Sequence, residues 1–261
     1  MLKKNTPQLW NNVWNDLGIS KADSLILDTE NKTILWQQMK KIINSEFKSF
    51  ENLDVLEIGS GTGTYAALMA KYGAKVTLLD YSSEALDRAK VFFKNNNLQA
   101  TFIQGDAFDL PKEIKNKKFD VSISIGLTEH FKGKQRVKIH KVHLDVLKKG
   151  GLTFISVPNK FNLPYRVYKS VSELTGTWKF GEEYPFSRSE LINICEKING
   201  QFVEIFGDNL YKSIKFLLPA NFLRRFFKVG TPRNKDEIRE ENGTIFDQYL
   251  SYSLVLVMKK K

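Results

Sequence analysis

One loop constrains this chain more than any other feature: a run of glycines set between an apolar strand and a helix. Val55-Leu56-Glu57-Ile58 reads as a short buried strand, and Gly59-Ser60-Gly61-Thr62-Gly63 follows at once. Glycines there allow a tight turn and let a ligand lie against the backbone, while the next helix offers its first N–H groups. Asp80 closes the following strand, 17 residues after Gly63. An acid so placed can accept hydrogen bonds from both hydroxyls of a ribose, and carboxyl ends of strands are where open α/β sheets bind ligands. The spacing is not the dinucleotide pattern G-x-G-x-x-G, because position 64 is threonine; the motif is E-x-G-x-G-x-G.

The rest of the chain agrees with such a sheet. Apolar runs at 54–58, 75–80, 100–104, 120–125 and 151–157 alternate with helical stretches at about 63–72, 83–96 and 133–149. Near-continuous apolar strands alternating with helices predict a mostly parallel sheet covered on both faces. Residues 1–50 read as helices, with Trp10, Val13, Trp14 and Leu17 at helical spacing. After Pro158 the rhythm breaks. Residues 159–185 are aromatic and turn-rich, a helix follows at about 188–198 with Ser187 as N-cap, and strands are expected at 201–206 and 248–258. Long connections inside a domain tend to be functional. The expectation is one domain over 1–261, with lids at 159–185 and 208–246.

Composition excludes several classes. The chain has 261 residues, 42% hydrophobic and 26% charged, which is ordinary for a folded globular protein. Its one cysteine, Cys195, rules out an intramolecular disulfide and a cysteine metal cluster. No apolar run reaches the roughly 18–20 residues of a membrane span, and no apolar leader follows the first lysines, so a cytoplasmic protein is expected. The net charge of +11 is concentrated in two places: residues 111–150 hold 11 Lys+Arg against 4 Asp+Glu, and residues 208–235 hold 7 against 1. The first cluster reads as a solvated face. The second accompanies apolar stripes (Leu210, Ile214, Leu217; Phe222, Phe226) and reads as a packed lid, a dimer contact or a contact with an anionic or membrane surface. There is no strong nucleic-acid signal, and the oligomeric state stays open.

With its motifs taken in order, the sequence resembles the class I S-adenosylmethionine-dependent methyltransferases. After the glycine loop and Asp80 come Gly105-Asp106-Ala107 behind the third strand, Phe119-Asp120-Val121 opening the fourth, Leu147 to Gly151 as the turn into the fifth, and Val157-Pro158-Asn159 at its end. The resemblance covers about residues 50–158. It implies a Rossmann-like α/β fold: a seven-stranded, mostly parallel sheet with helices on both faces and an antiparallel last strand. It also implies S-adenosylmethionine as cofactor, S-adenosylhomocysteine as product, and a set of cofactor residues. Glu57 would approach the methionine amino group. Gly59, Ser60 and Gly61 would shape the methionine pocket. Asp80 would hold the ribose, Tyr81 would lie beside the adenine, and Asp106 with Ala107 would meet its edge.

Leu127-Thr128-Glu129-His130 follows the fourth strand, at the mouth of the implied pocket. His130 suits a general base, because its intrinsic pKa lies near neutral, and Glu129 could orient it or contact cofactor; equally, the pair could simply start the next helix. Family members that bind a divalent cation here resemble E-x-x-E-H. The first acid of that set is Gly126 in this chain, so no metal is expected. His140 and His143 read as a surface and a partly buried histidine. Residues 125–128 lack the Asn/Asp-Pro-Pro-Tyr signature of enzymes that methylate base amines, and Cys195 reads as a packed thiol. Aromatics at 159–186, with Trp10 and Trp14, suit the walls of an apolar or aromatic small-molecule pocket. The expectation is methyl transfer to an O, N or C nucleophile of a small molecule. An RNA- or protein-modifying enzyme using the basic surface, and a non-catalytic adenosyl-binding protein, are the alternatives.

Overall fold

The strands carry their own instructions for burial on two faces. Along the last strand, Val255 and Val257 belong to one core while Leu254, Leu256 and Met258 belong to another, and the fifth strand divides the same way, Leu152 and Phe154 against Ile155 and Val157. Such alternation requires a layer of helices on each side. A computed structural model of the protein, describing residues 5–17, 23–207 and 249–261, has that arrangement.

The strands are β1 (Asp54–Ile58), β2 (Lys75–Asp80), β3 (Thr101–Gln104), β4 (Phe119–Ile125), β5 (Leu147–Pro158), β6 (Gln201–Gly207) and β7 (Ser253–Lys259). They form one sheet in the order β3-β2-β1-β4-β5-β7-β6. The first five are parallel, and β7 runs antiparallel between β5 and β6. β1 pairs with β2 on one side and β4 on the other, so the strand order reverses at β1. This switch point opens a crevice at the carboxyl ends of β1 and β4.

Helices α1 (Pro7–Leu17), α2 (Asp23–Glu30), α3 (Ile34–Phe47), α4 (Thr64–Lys71) and α5 (Ser83–Asn95) precede β3, and the single turn α6 (Lys112–Lys115) precedes β4. Trp36, Met39 and Ile43 of α3 join Phe92 and Phe93 of α5 in the larger core. On the opposite face α7 (Lys134–Asp145) and α9 (Arg188–Lys197) cover β5 to β7 with Leu144, Leu191, Ile194 and Cys195. Cys195 is a packed thiol, as its position implied. Local signals set the ends: Thr33, Ser82 and Ser187 accept the N–H groups of Trp36, Ala85 and Glu190 as N-caps of α3, α5 and α9. Among the described residues no helix is long and apolar enough to cross a membrane.

Several expectations need correction. The helix expected over 133–149 stops at Asp145, because Leu147 already pairs with Phe119 and the extended β5 begins there. The segment 159–185 is not only turns: Asn162 caps α8 (Leu163–Leu174) by accepting the N–H of Tyr165. The lid, membrane and dimer readings of 208–246 lie outside the described residues. Of the strand expected at 248–258, residues 249–252 are not strand, and β7 begins only at Ser253. His140 is not a surface residue; it and His143 are both fully buried. The ring of His140 bonds the carbonyl of Arg136 at 2.7 Å, and His143 bonds Ser122. Burial holds His140 down to about 4 and His143 to about 3.

That depression predicts a pH effect. The unfolded chain takes up a proton on His143 near pH 6.5, and the folded chain does not until about 3. Its contribution is therefore full above pH 6.5 and is lost as pH falls. Between pH 7 and 5, urea unfolding should show the wild type losing about 2 kcal/mol relative to His143→Gln. An unchanged difference between the two pH values would refute the assignment.

Candidate active site

The glycine loop leaves β1 with three successive backbones that side chains rarely adopt: φ is +63° at Gly59, +53° at Gly61 and +70° at Gly63. All three positions also lack room, a Cβ on Gly63 running into the side chain of Leu78. A Cβ on Gly61 would lie 2.6 Å from the indole of Trp14, and one on Gly59 would lie 2.8 Å from Leu127. The loop therefore forms a cradle whose cover comes from α1. The carboxylate of Asp80, at the end of β2, accepts the N–H of Gly61 at 2.9 Å through one oxygen and that of Ser82 at 2.9 Å through the other. Burial raises its pKa. Behind the loop, Glu57 accepts the N–H of Ala66 at 3.0 Å, and burial draws it up to about 8.

The sequence-predicted residues converge. Glu57, Gly59, Ser60, Gly61, Asp80, Tyr81, Asp106, Ala107, Glu129 and His130 all border one cavity of about 890 Å³. Asp106 accepts the N–H of Phe108 at 2.7 Å, which turns the loop after β3 toward that cavity. Trp10 and Trp14 supply the expected wall. Arg88 of α5 lies over Trp14 and donates to its carbonyl, which holds α1 down.

The other half of the cavity belongs to residues after β4 and β5. Glu129 and His130 sit in a single 3-10 turn, Thr128–His130, at the end of β4. The Nδ1 of His130 lies 2.8 Å from the carbonyl of Glu182, so Nδ1 donates and Nε2 carries the lone pair. Trp10 meets the ring edge-on at 4.9 Å. Burial lowers His130 to about 4, so it is neutral through the physiological range. Asn5 donates to the carbonyls of both His130 and Glu182, tying the N-terminal segment to both chains. Tyr165, Tyr168, Trp178 and Phe180 line this half, joined by Tyr252. A smaller cavity of about 320 Å³ shares Tyr65, Gly126, Glu129 and Tyr252 with it.

Sequence reasoning missed Glu183. Tyr165 donates its hydroxyl to this carboxylate, and one ligand atom each from Glu129, His130 and Glu183 lie within 4.8 Å of one another. The trio could hold a cation. The expectation of no metal rested on Gly126, but a second carboxylate comes from position 183. No local pattern links residue 183 to 129 and 130; only the path of the 159–186 segment does.

The residues fit S-adenosylmethionine. Ser60 Oγ is buried without a hydrogen-bond partner among the described residues, beside a glycine cradle that excludes side chains. Asp80 keeps acceptor capacity beyond its two backbone bonds, since a carboxylate has about four lone-pair sites.

Comparison with known proteins agrees. Residues 55–151 match the family model described as a methyltransferase domain, and the fold and glycine loop around them are like those of class I S-adenosylmethionine-dependent methyltransferases. Among its relatives is the ubiquinone biosynthesis O-methyltransferase of Rickettsia canadensis (strain McKiel), 27% identical over 236 residues, 90% of this chain and 82% of that one. That of Pelagibacter ubique (strain HTCC1062) is 28% identical over 202 residues, 71% of this chain and 79% of its own. Among solved structures, magnesium protoporphyrin IX methyltransferase from Synechocystis PCC 6803 with bound SAH superposes with a TM-score of 0.56 at 15% identity, covering 86% of this chain and 83% of that one. A putative sarcosine dimethylglycine methyltransferase from Galdieria sulphuraria gives 0.57 at 14% identity, covering 87% and 86%.

Asp80→Ala removes the acceptor of the Gly61 and Ser82 N–H groups. Calorimetric titration with S-adenosylhomocysteine should show affinity falling by about tenfold to a hundredfold while the circular dichroism spectrum is retained. Unchanged affinity would remove Asp80 from the cofactor site.

Proposed function

We propose that the protein transfers the methyl group of S-adenosylmethionine to an oxygen or nitrogen of a small molecule seated in the aromatic half of the cavity. The carrying observation is that one cavity joins the glycine loop to the walls built by residues 159–186. In this reading that segment is a lid, and the names of the curated relatives favour an oxygen acceptor.

The cofactor brings an electrophilic methyl on a sulfonium, a good leaving group, so the chain's task is chiefly alignment. Glu57, at the back of the loop, faces the amino group of the methionine moiety, and Gly59, Ser60 and Gly61 hold that moiety against the backbone. Asp80 takes the ribose, while Tyr81, Asp106 and Ala107 border the adenine. α1 presses Trp14 onto Gly61 and excludes water from the loop. His130, neutral and with Nδ1 held by the carbonyl of Glu182, accepts the proton that the acceptor releases. Its low basicity suits an acceptor whose proton is itself acidic, or one lost as the new bond forms. Glu129 lies beside it and shapes the acceptor end.

Two measurements test this. Isothermal titration should detect binding of both S-adenosylmethionine and S-adenosylhomocysteine, and absence of both would end the proposal. With a panel of phenols and amines as acceptors, His130→Ala should lower kcat by about a hundredfold with cofactor affinity kept. Unchanged turnover would show that His130 does not take the proton.

A further inference from the structure

The acceptor half of the cavity contains two acids that no salt bridge pairs among the described residues. Glu129 is 3% exposed, and its Oε2 has no hydrogen-bond partner among the described residues. It lines both cavities. Glu183 reaches the same place from the opposite wall and receives only the hydroxyl of Tyr165. Neither has a salt-bridge partner among the described residues. The nearby cations make their ion pairs with other acids, Lys169 with Glu173 and Arg136 with Glu190 at 2.6 Å, and act on Glu183 and Glu129 only from a distance. Burial and the mutual repulsion of the two acids hold Glu129 well above the ordinary carboxyl range.

Leaving two such groups unpaired in an enclosed space is expensive, and an organic cation between them relieves that cost. The surrounding walls suit the same guest. Tyr165, Tyr168, Trp178, Phe180 and Tyr252 present aromatic surface to the chamber, and aromatic faces attract ammonium groups. Trp178 already does so within the protein: the ammonium of Lys169 lies 5.0 Å from its ring centre. A neutral phenol or quinone would use the aromatic walls and leave both acids without a partner.

We propose that Glu129 and Glu183, with the aromatic wall of residues 165–180, form a subsite for a protonated amine, so that the methyl acceptor is a small aromatic molecule carrying an ammonium group. The inference rests on the acceptor reading above and narrows it. The unpaired, buried oxygen of Glu129, aimed into a chamber that a second acid enters from the lid, is the observation behind it.

The test compares tyramine with 4-propylphenol, which replaces the ammonium group by a methyl of similar size. Both are titrated at neutral pH into the full-length protein saturated with S-adenosylhomocysteine, so that the cofactor half is filled and no turnover occurs. Tyramine should bind the wild type about tenfold more tightly than 4-propylphenol, the size of a desolvated cation–aromatic contact with a nearby carboxylate. Glu183→Gln should erase that preference and keep S-adenosylhomocysteine affinity, which also shows that the variant is folded. Equal binding of the two probes by the wild type overturns the subsite whatever the variant does. Saturation by magnesium or zinc ions without preference for tyramine also overturns it, assigning the acids to a metal. Failure to bind S-adenosylhomocysteine at all would instead strike the methyl-transfer reading, so the two failures are told apart.

Discussion

One buried carboxylate joins the parts of this protein that must meet. Asp80 takes the N–H of Gly61 with one oxygen and that of Ser82 with the other, both at 2.9 Å. The first bond fixes the glycine loop leaving β1; the second fixes the start of α5, where Ser82 then caps Ala85. The two strands that end the crevice are thus locked at the point where the ligand must lie. Charged acceptors make the stronger hydrogen bonds, and a buried one loses little to competing water. The conformation that glycine permits at Gly59, Gly61 and Gly63 would otherwise be one among many. The carboxylate proposed to take the ribose therefore also shapes the loop beside it.

A second junction holds the cover in place. Arg136 of α7 donates to the carbonyls of Tyr184 and Pro185, pairs with Glu190 of α9, and stacks 3.3 Å above the ring of Phe186. A planar guanidinium can do all of this at once, which a lysine ammonium cannot. Nearby, the N–H of Tyr184 donates to the carbonyl of Glu129, and Asn5 bridges His130 and Glu182. The insertion, the turn after β4 and the N-terminal segment are thus one hydrogen-bonded unit. A side chain on any of the three senses displacement of the others.

Much of this was legible before any coordinates, and the reasons are physical. The strands of the parallel sheet were readable because burial on both faces demands continuous apolar runs, as in Val55 to Ile58. The cofactor half was readable because backbone geometry requires glycine at fixed places and an acid one strand later. The acceptor half was not. α8 hides behind aromatic residues that favour strands as readily as helices, and its one clear signal is the cap at Asn162. Glu183 joins Glu129 only through the path of a long connection, which no spacing encodes. His140 looked exposed because lysines flank it, yet helical geometry turns it inward onto Phe186, while Lys138 and Lys141 point away.

The charge takes on a different meaning inside the molecule than outside. In the first basic cluster most of the lysines lie on the exterior, and Lys115, Lys117, Lys141 and Lys148 are each paired with an aspartate. The cavity has the opposite character: Glu57, Asp80, Asp106, Glu129 and Glu183 border it. S-Adenosylmethionine carries a positive sulfonium that its product lacks. Those of the acids that are ionised would hold the sulfonium more strongly than the neutral thioether, because only the sulfonium offers a charge for them to attract. The attraction that would draw in the cofactor therefore weakens when the methyl group leaves.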